Sequence, residues 1–205
     1  MSLSNAEFGQ IYEAGLGILP LVGGPAATLK STIANTIPYR IATSSLSPST
    51  GVMDLTAIFL PAGQTITNIN YVTGTTAANG PTHWWFALYD DGRGSSSSGQ
   101  LALLGQTADQ TSTAMAASTN FGLALITPWV TQYAGIYYLG YLQTVSTTMA
   151  SLVGVGRGST AGIILSSNCT SSFYSGTAGS GLTNQAPNPS GAITVSTRTE
   201  FAYIS

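Results

Sequence analysis

The densest gathering of side chains with chemical potential is "PTHWWFALYDDGRG", residues 81–94. It contains the only histidine of the 205-residue chain, His83, two of its three tryptophans, and the adjacent acids Asp90 and Asp91. Read as catalysis, the two acids would form a carboxylate pair. Glycosidase pairs need roughly 5–9 Å between carboxyls across a bound sugar. Neighbouring residues of a strand point to opposite faces, so Asp90 and Asp91 do not meet that geometry. A partner from elsewhere in the chain, Asp54, Asp109 or Glu200, stays open.

Other enzyme templates fail on inventory. A Ser-His-Asp triad would have to use His83, and no G-x-S-x-G turn is present. Cys169 is the only thiol, in "SSNCTS", and no recognisable motif joins it to His83. One His and one Cys fall short of the three or four ligands of a zinc site. "GVGRG" at 154–158 has Ser159 where a dinucleotide fingerprint has its third glycine, and it precedes a strand. The expectation is a chain without catalytic residue, cofactor or metal. Asn168 opens an Asn-x-Thr acceptor triplet, a short match that arises often by chance.

The elements that hold these residues follow from pattern. In a strand over 83–90, His83, Trp85, Ala87 and Tyr89 share one face, and Trp84, Phe86 and Leu88 share the other with Asp90. The second set is a core stripe. Trp85 and Tyr89 are either a second packed layer or a ligand platform. Further strands are expected at 52–59, 65–73, 101–107, 123–129, 135–145, 151–156, 161–166 and 192–204, separated by turn-rich stretches such as 77–82 and 90–99. The segment 175–191, rich in Gly, Ser, Pro and Asn, reads as a surface loop. Many short strands without βαβ alternation predict an all-β, antiparallel β-sandwich of jelly-roll type.

The first 34 residues differ. Ser4 and Glu7 have capping-box spacing, and a short helix is expected over about 5–14. Phe8, Ile11, Tyr12, Leu16, Ile18, Leu19, Leu21 and Val22 are apolar in a stretch broken by glycine and proline. This segment is expected to be an arm, residues 1–34, that docks on a partner or else packs back on its own domain, with the sandwich at 35–205.

Composition narrows the partners. Only 6% of residues are charged, against roughly 25% ordinarily, and the net charge is −2. Five scattered basic residues cannot neutralise a run of phosphates, which excludes nucleic acid. No apolar run reaches the ~18 residues of a membrane span. The early segment lacks the charged n-region of a signal peptide, so synthesis in a cytoplasm is expected.

The blocks "LPAG", "VTGTTAA", "PTHWWFALYD", "QTADQT" and "YAGIYYLGYL", in that order within about 36–155, resemble a β-sandwich module in minor tail proteins and other virion surface proteins of tailed phages that infect actinobacteria. "GRGSSSSGQLA" lengthens the turn after the Trp-Trp strand relative to that pattern, and Met115 stands where an aromatic is expected. The resemblance does not cover the chain beyond about 156. It implies a structural, non-enzymatic protein of the virion surface, made in the bacterial host's cytoplasm. The implied partners are other virion proteins, major capsid or tail. A homo-oligomer is expected, a trimer among the candidates, and a host-surface glycan is the alternative ligand. Because only ~35 residues precede the module, a head decoration is favoured over a tail protein.

Overall fold

The computed structural model describes residues 32–90, 100–156 and 174–205. The expected helix at 5–14, all eight apolar arm residues, the stretch 91–99, the strand at 161–166, and Asn168 and Cys169 lie outside the described residues.

The described chain is built from antiparallel strands and one 3-10 turn, Tyr39–Ile41. In order these are β1 (Ala34–Asn35), β2 (Ser44–Leu46), β3 (Met53–Leu60), β4 (Thr65–Val72), β5 (Asn79–Asp90), β6 (Ala102–Gln106) and β7 (Asn120–Val130). There follow β8 (Gly135–Thr148), β9 (Leu152–Gly156), β10 (Ser175–Ala178), β11 (Ile193–Val195), β12 (Arg198–Glu200) and β13 (Ala202–Ile204). Among the described residues no helix is long and apolar enough to cross a membrane.

Three sheets result. The largest runs β11-β10-β3-β8-β5-β6, a second runs β1-β13-β4-β7, and a third runs β12-β9-β2. The first two share one core. Ile58, Trp84, Phe86, Leu88, Tyr137, Leu139 and Tyr141 come from the large sheet, and Ile66, Ile69, Tyr71, Leu125, Ala202 and Ile204 from the second. The predicted stripe Trp84, Phe86 and Leu88 is fully within it. Phe86 packs between Tyr71, with ring centres 4.8 Å apart, and Tyr141, at 5.9 Å.

The large sheet is buried on its other face as well. Met53, Leu55, Trp85, Ala87, Tyr89, Tyr138 and Leu142 form a second core with Leu101, Ala178 and Ala186. Leu182 and Ile193 pack on its margin. A strand buried on both faces has no reason to alternate, which explains the near-continuous apolar runs of β5 and β8.

Several boundaries differ from expectation. The stretch 175–191 begins as β10, which pairs with both β3 and β11, and only then becomes a loop. Its composition hid this, because Gly and Ser are poor strand formers in isolation. The expected turn at 77–82 is partly strand, since β5 starts at Asn79. The 192–204 run is three strands that serve three different sheets. At its junction Phe201 N–H bonds Val153 O (2.8 Å), and Ala202 then pairs with Tyr71. The domain also starts earlier than residue 35. Ile33 N–H bonds Ile204 O (2.9 Å), β1 pairs with β13, and Ile33 and Ala34 pack on the core.

Candidate functional site

The convergence of sheets places two acids inside the protein. In β3, Asp54 and Thr56 lie on the same strand face as Ile58 and Leu60, which belong to the shared core. At the other end of the sequence, Glu200 precedes the core residues Ala202 and Ile204 at the same period of two. Both acids are therefore carried inward in phase with core residues, Ile58 and Leu60 for Asp54, Ala202 and Ile204 for Glu200. Asp54 is 2% exposed and Glu200 1%.

Their partners come from far along the chain. Arg198 Nη2 donates to Asp54 Oδ1 at 2.7 Å, and Arg198 Nη1 donates to Ser47 O. The Thr56 hydroxyl donates to Glu200 Oε2 at 2.7 Å. Asp54 is paired across the sheet with Tyr141, whose ring lies 5.3 Å from that of Tyr71. The Tyr141 hydroxyl donates to Gln143 Oε1 (3.2 Å), which also accepts from Ala150 N–H (2.9 Å). Asp54 Oδ2 and the Tyr71 hydroxyl are buried with no hydrogen-bond partner among the described residues.

Among the described residues, two carboxyls and one guanidinium meet here, and the two acids act on each other. Burial first, then the Glu200 charge, pushes the Asp54 carboxyl up from 3.8 to about 7, while Arg198 acts in the opposite direction. The Tyr71 and Tyr141 hydroxyls are pushed well above 10, again mainly by burial, with the two acids adding to it. Chemically this is a proton-holding pair. It is enclosed by core side chains, so a substrate would reach it only if the sheets parted.

His83 and Asp109, both weighed from sequence, do meet. His83 Nδ1 and Asp109 Oδ2 are 2.7 Å apart, with each side chain partly exposed. Asp109 Oδ1 accepts from Trp84 N–H (3.2 Å), and Thr111 donates to Oδ2 (2.7 Å). Asp109, named from sequence as a distant partner for Asp90 and Asp91, pairs with His83 instead. The strand β5 turns the imidazole toward the loop after β6, where Asp109 is tied down by backbone and hydroxyl. Asp90 accepts a hydrogen bond from the Tyr133 hydroxyl, and Asp91 lies outside the described residues. Among the described residues no three His, Cys, Asp or Glu side chains gather as a metal site would require.

The ligand platform of Trp85 and Tyr89 is also corrected. Both are 0% exposed. Trp85 Nε1 donates to Thr183 O (2.7 Å), and the Tyr89 hydroxyl donates to Pro187 O (2.9 Å). The segment after β10 covers them and uses their polar tips to satisfy its own carbonyls, the usual role of a buried Tyr or Trp.

A different aromatic is displayed. Tyr39 is 60% exposed and forms one wall of an open groove of about 220 Å³. Val72 and Val153 contribute apolar surface to the lining, and Thr43, Thr75 and Ser118 contribute hydroxyls. Sequence reading missed it because its residues come from five separate stretches with no motif. No family model matches the sequence, and no curated protein matches it.

Proposed function

We propose that the chain is a structural, non-enzymatic protein of a phage virion surface: a capsid decoration or small head appendage, attached to other virion proteins through its N-terminal arm. The observation that carries this reading is where the resembling blocks fall. "PTHWWFALYD" lies within β5 and "YAGIYYLGYL" is mostly β8, and the two are paired at the centre of the large sheet. "LPAG" is the end of β3 and the turn that follows it. The side chains that make the sequence distinctive are therefore spent on packing both faces of a scaffold, with Trp84, Trp85, Phe86 and Tyr89 all buried.

We further assign the sandwich to the jelly-roll type. From β3 to β8 the chain visits the large sheet, the second sheet, the large sheet twice, the second sheet and the large sheet again. The orders β3-β8-β5-β6 and β13-β4-β7 support that assignment. Such folds serve capsids and lectins alike, so the fold does not choose between roles. The second reading, a tail protein or glycan-binding module for host attachment, is favoured by the uncharged groove beside Tyr39.

The test is location. Antibody raised against this chain and carrying a gold label should decorate intact particles at the head, in a symmetric array. Label at the tail tip alone would select the second reading, and particles free of label would refute a virion role.

A further inference from the structure

We propose that the groove beside Tyr39 is a binding site for a neutral saccharide. The proposal does not depend on where on a particle the protein sits.

Charge excludes most other ligands first. Among the described residues, no Asp, Glu, Lys or Arg lines the groove. A phosphate, carboxylate or ammonium group would enter without a counter-charge, at the desolvation cost that makes unpaired ions unfavourable. What the groove does offer is an aromatic wall, an apolar floor and a rim of hydroxyls. A pyranose has the matching anatomy, with an apolar C–H face and an equatorial belt of hydroxyls.

The aromatic wall is held in place before any ligand arrives. Tyr39 opens the 3-10 turn, where Ile41 N–H bonds Pro38 O (3.1 Å) and Ala42 N–H bonds Tyr39 O (3.1 Å). Its ring packs edge-on against Phe201, with centroids 5.0 Å apart and planes at 64°. The ring is thereby held by the domain while the side chain stays largely open to solvent. A side chain already ordered loses little freedom on binding.

The polar rim is also built. Ser45 Oγ donates to Ser151 Oγ (2.8 Å), and Ser151 Oγ in turn accepts from Thr76 N–H (3.0 Å). Ser45 Oγ also accepts from Thr75 N–H (3.3 Å). Gly74 allows the loop to settle on this pair, since a Cβ there would lie 2.3 Å from Ser45 Oγ and 2.7 Å from Ser151 Oγ. Ser118, held with φ of 50°, is anchored by its N–H to Gly74 O (2.7 Å). The serine pair thus fixes the backbone, Thr75 Oγ1 lies 3.4 Å from Ser45 Oγ, and Thr43 and Ser118 remain exposed at the rim as donors and acceptors.

The experiment titrates the full-length, nitrogen-15-labelled protein with glucose, galactose, mannose and N-acetylglucosamine and with their short neutral oligomers, following backbone amides by NMR. At least one probe should shift Thr43, Ser45, Thr75 and Ser118 saturably, with longer oligomers binding more tightly. Tyr39→Ala should weaken that binding on the order of tenfold, as expected for loss of one aromatic face. Tyr39→Phe should retain it, which separates stacking from any role of the hydroxyl. Phe59→Ser, at an exposed aromatic outside the groove, should leave binding unchanged. The proposal falls if no probe shifts these amides up to tens of millimolar, if Tyr39→Ala binds as the parent does with an unchanged fold, or if glucuronate and sialic acid bind in preference to the neutral sugars.

Discussion

Asp54 and Arg198, 144 residues apart in the chain, meet at 2.7 Å and join β3 of the large sheet to β12 of the small one. Arg198 is partly exposed and Asp54 is not. The guanidinium thus reaches in from the surface to the end of the shared core, where Glu200 brings a second acid. Stability, more than catalysis, is what this arrangement governs.

The first consequence is a dependence on pH. The folded Asp54 carboxyl titrates near 7, above its ordinary 3.8. Below about pH 4 both folded and unfolded chains hold the proton, and the group contributes no difference. Between about pH 4 and pH 7 the unfolded chain releases it while the folded chain retains it. Stability therefore falls as pH rises through this window and levels above it, by an amount on the order of a few kcal/mol. Urea unfolding at stepped pH should show this slope, and Asp54→Asn should flatten it. A slope of opposite sign would mean that the ionised acid is the form the fold prefers.

Removing the cation should cost more than removing an ordinary surface charge. Arg198→Met removes the cation paired with the buried Asp54, and loss of one partner of a buried pair costs up to roughly 3–5 kcal/mol, less here because the guanidinium is partly exposed. The loss should be greater at pH 8 than at pH 5, because Asp54 is protonated at the lower value. Equal losses at both pH values would show that the ion pair contributes little.

Tyr71→Phe should behave differently. Its hydroxyl is buried and finds no hydrogen-bond partner among the described residues, so the fold bears a desolvation cost with nothing in return from them. The ring, packed on Phe86 and Tyr141, is kept. The expected change in unfolding free energy is between zero and about +1 kcal/mol of stabilisation. A clear destabilisation would reveal a partner for that hydroxyl.

Phe86→Ala removes a fully buried ring from the middle of the core. The cost should be ~3–5 kcal/mol from lost burial and the cavity left behind. Chemical denaturation reads it directly. A loss below about 1 kcal/mol would be incompatible with that packing.

The arm can be separated from the domain only at the right place. Truncation after residue 31 keeps Ile33 and β1, which pair with β13 and pack on the core. That variant should melt cooperatively and, if the arm is the attachment point, fail to incorporate into particles. Truncation after residue 34 should melt lower, since it removes the Ile33 N–H bond to Ile204 and half of β1.

Much of the strand framework was legible because it rests on a local signal. A period of two over "HWWFALYD" assigns Trp84, Phe86 and Leu88 to one face whatever the rest of the chain does, and that face is the shared core. The same rule put Asp54 in phase with Ile58 and Leu60, and Glu200 in phase with Ala202 and Ile204. From the sequence both acids stood only as distant partners for Asp90 and Asp91, and nothing local says that two such phases will meet. Whether Trp85 and Tyr89 are displayed or covered was likewise undecidable from β5 itself. The answer lay in Thr183 and Pro187, nearly a hundred residues later, in a stretch whose composition reads as loop. The groove was invisible for the same reason, being assembled from short pieces at 39, 42–45, 72–75, 118 and 153. Alternation and turn chemistry act over a few residues, and they determined the strands. Pairing between distant strands decided which side chains share a dielectric, an ion pair or a surface, and only the tertiary structure holds that information.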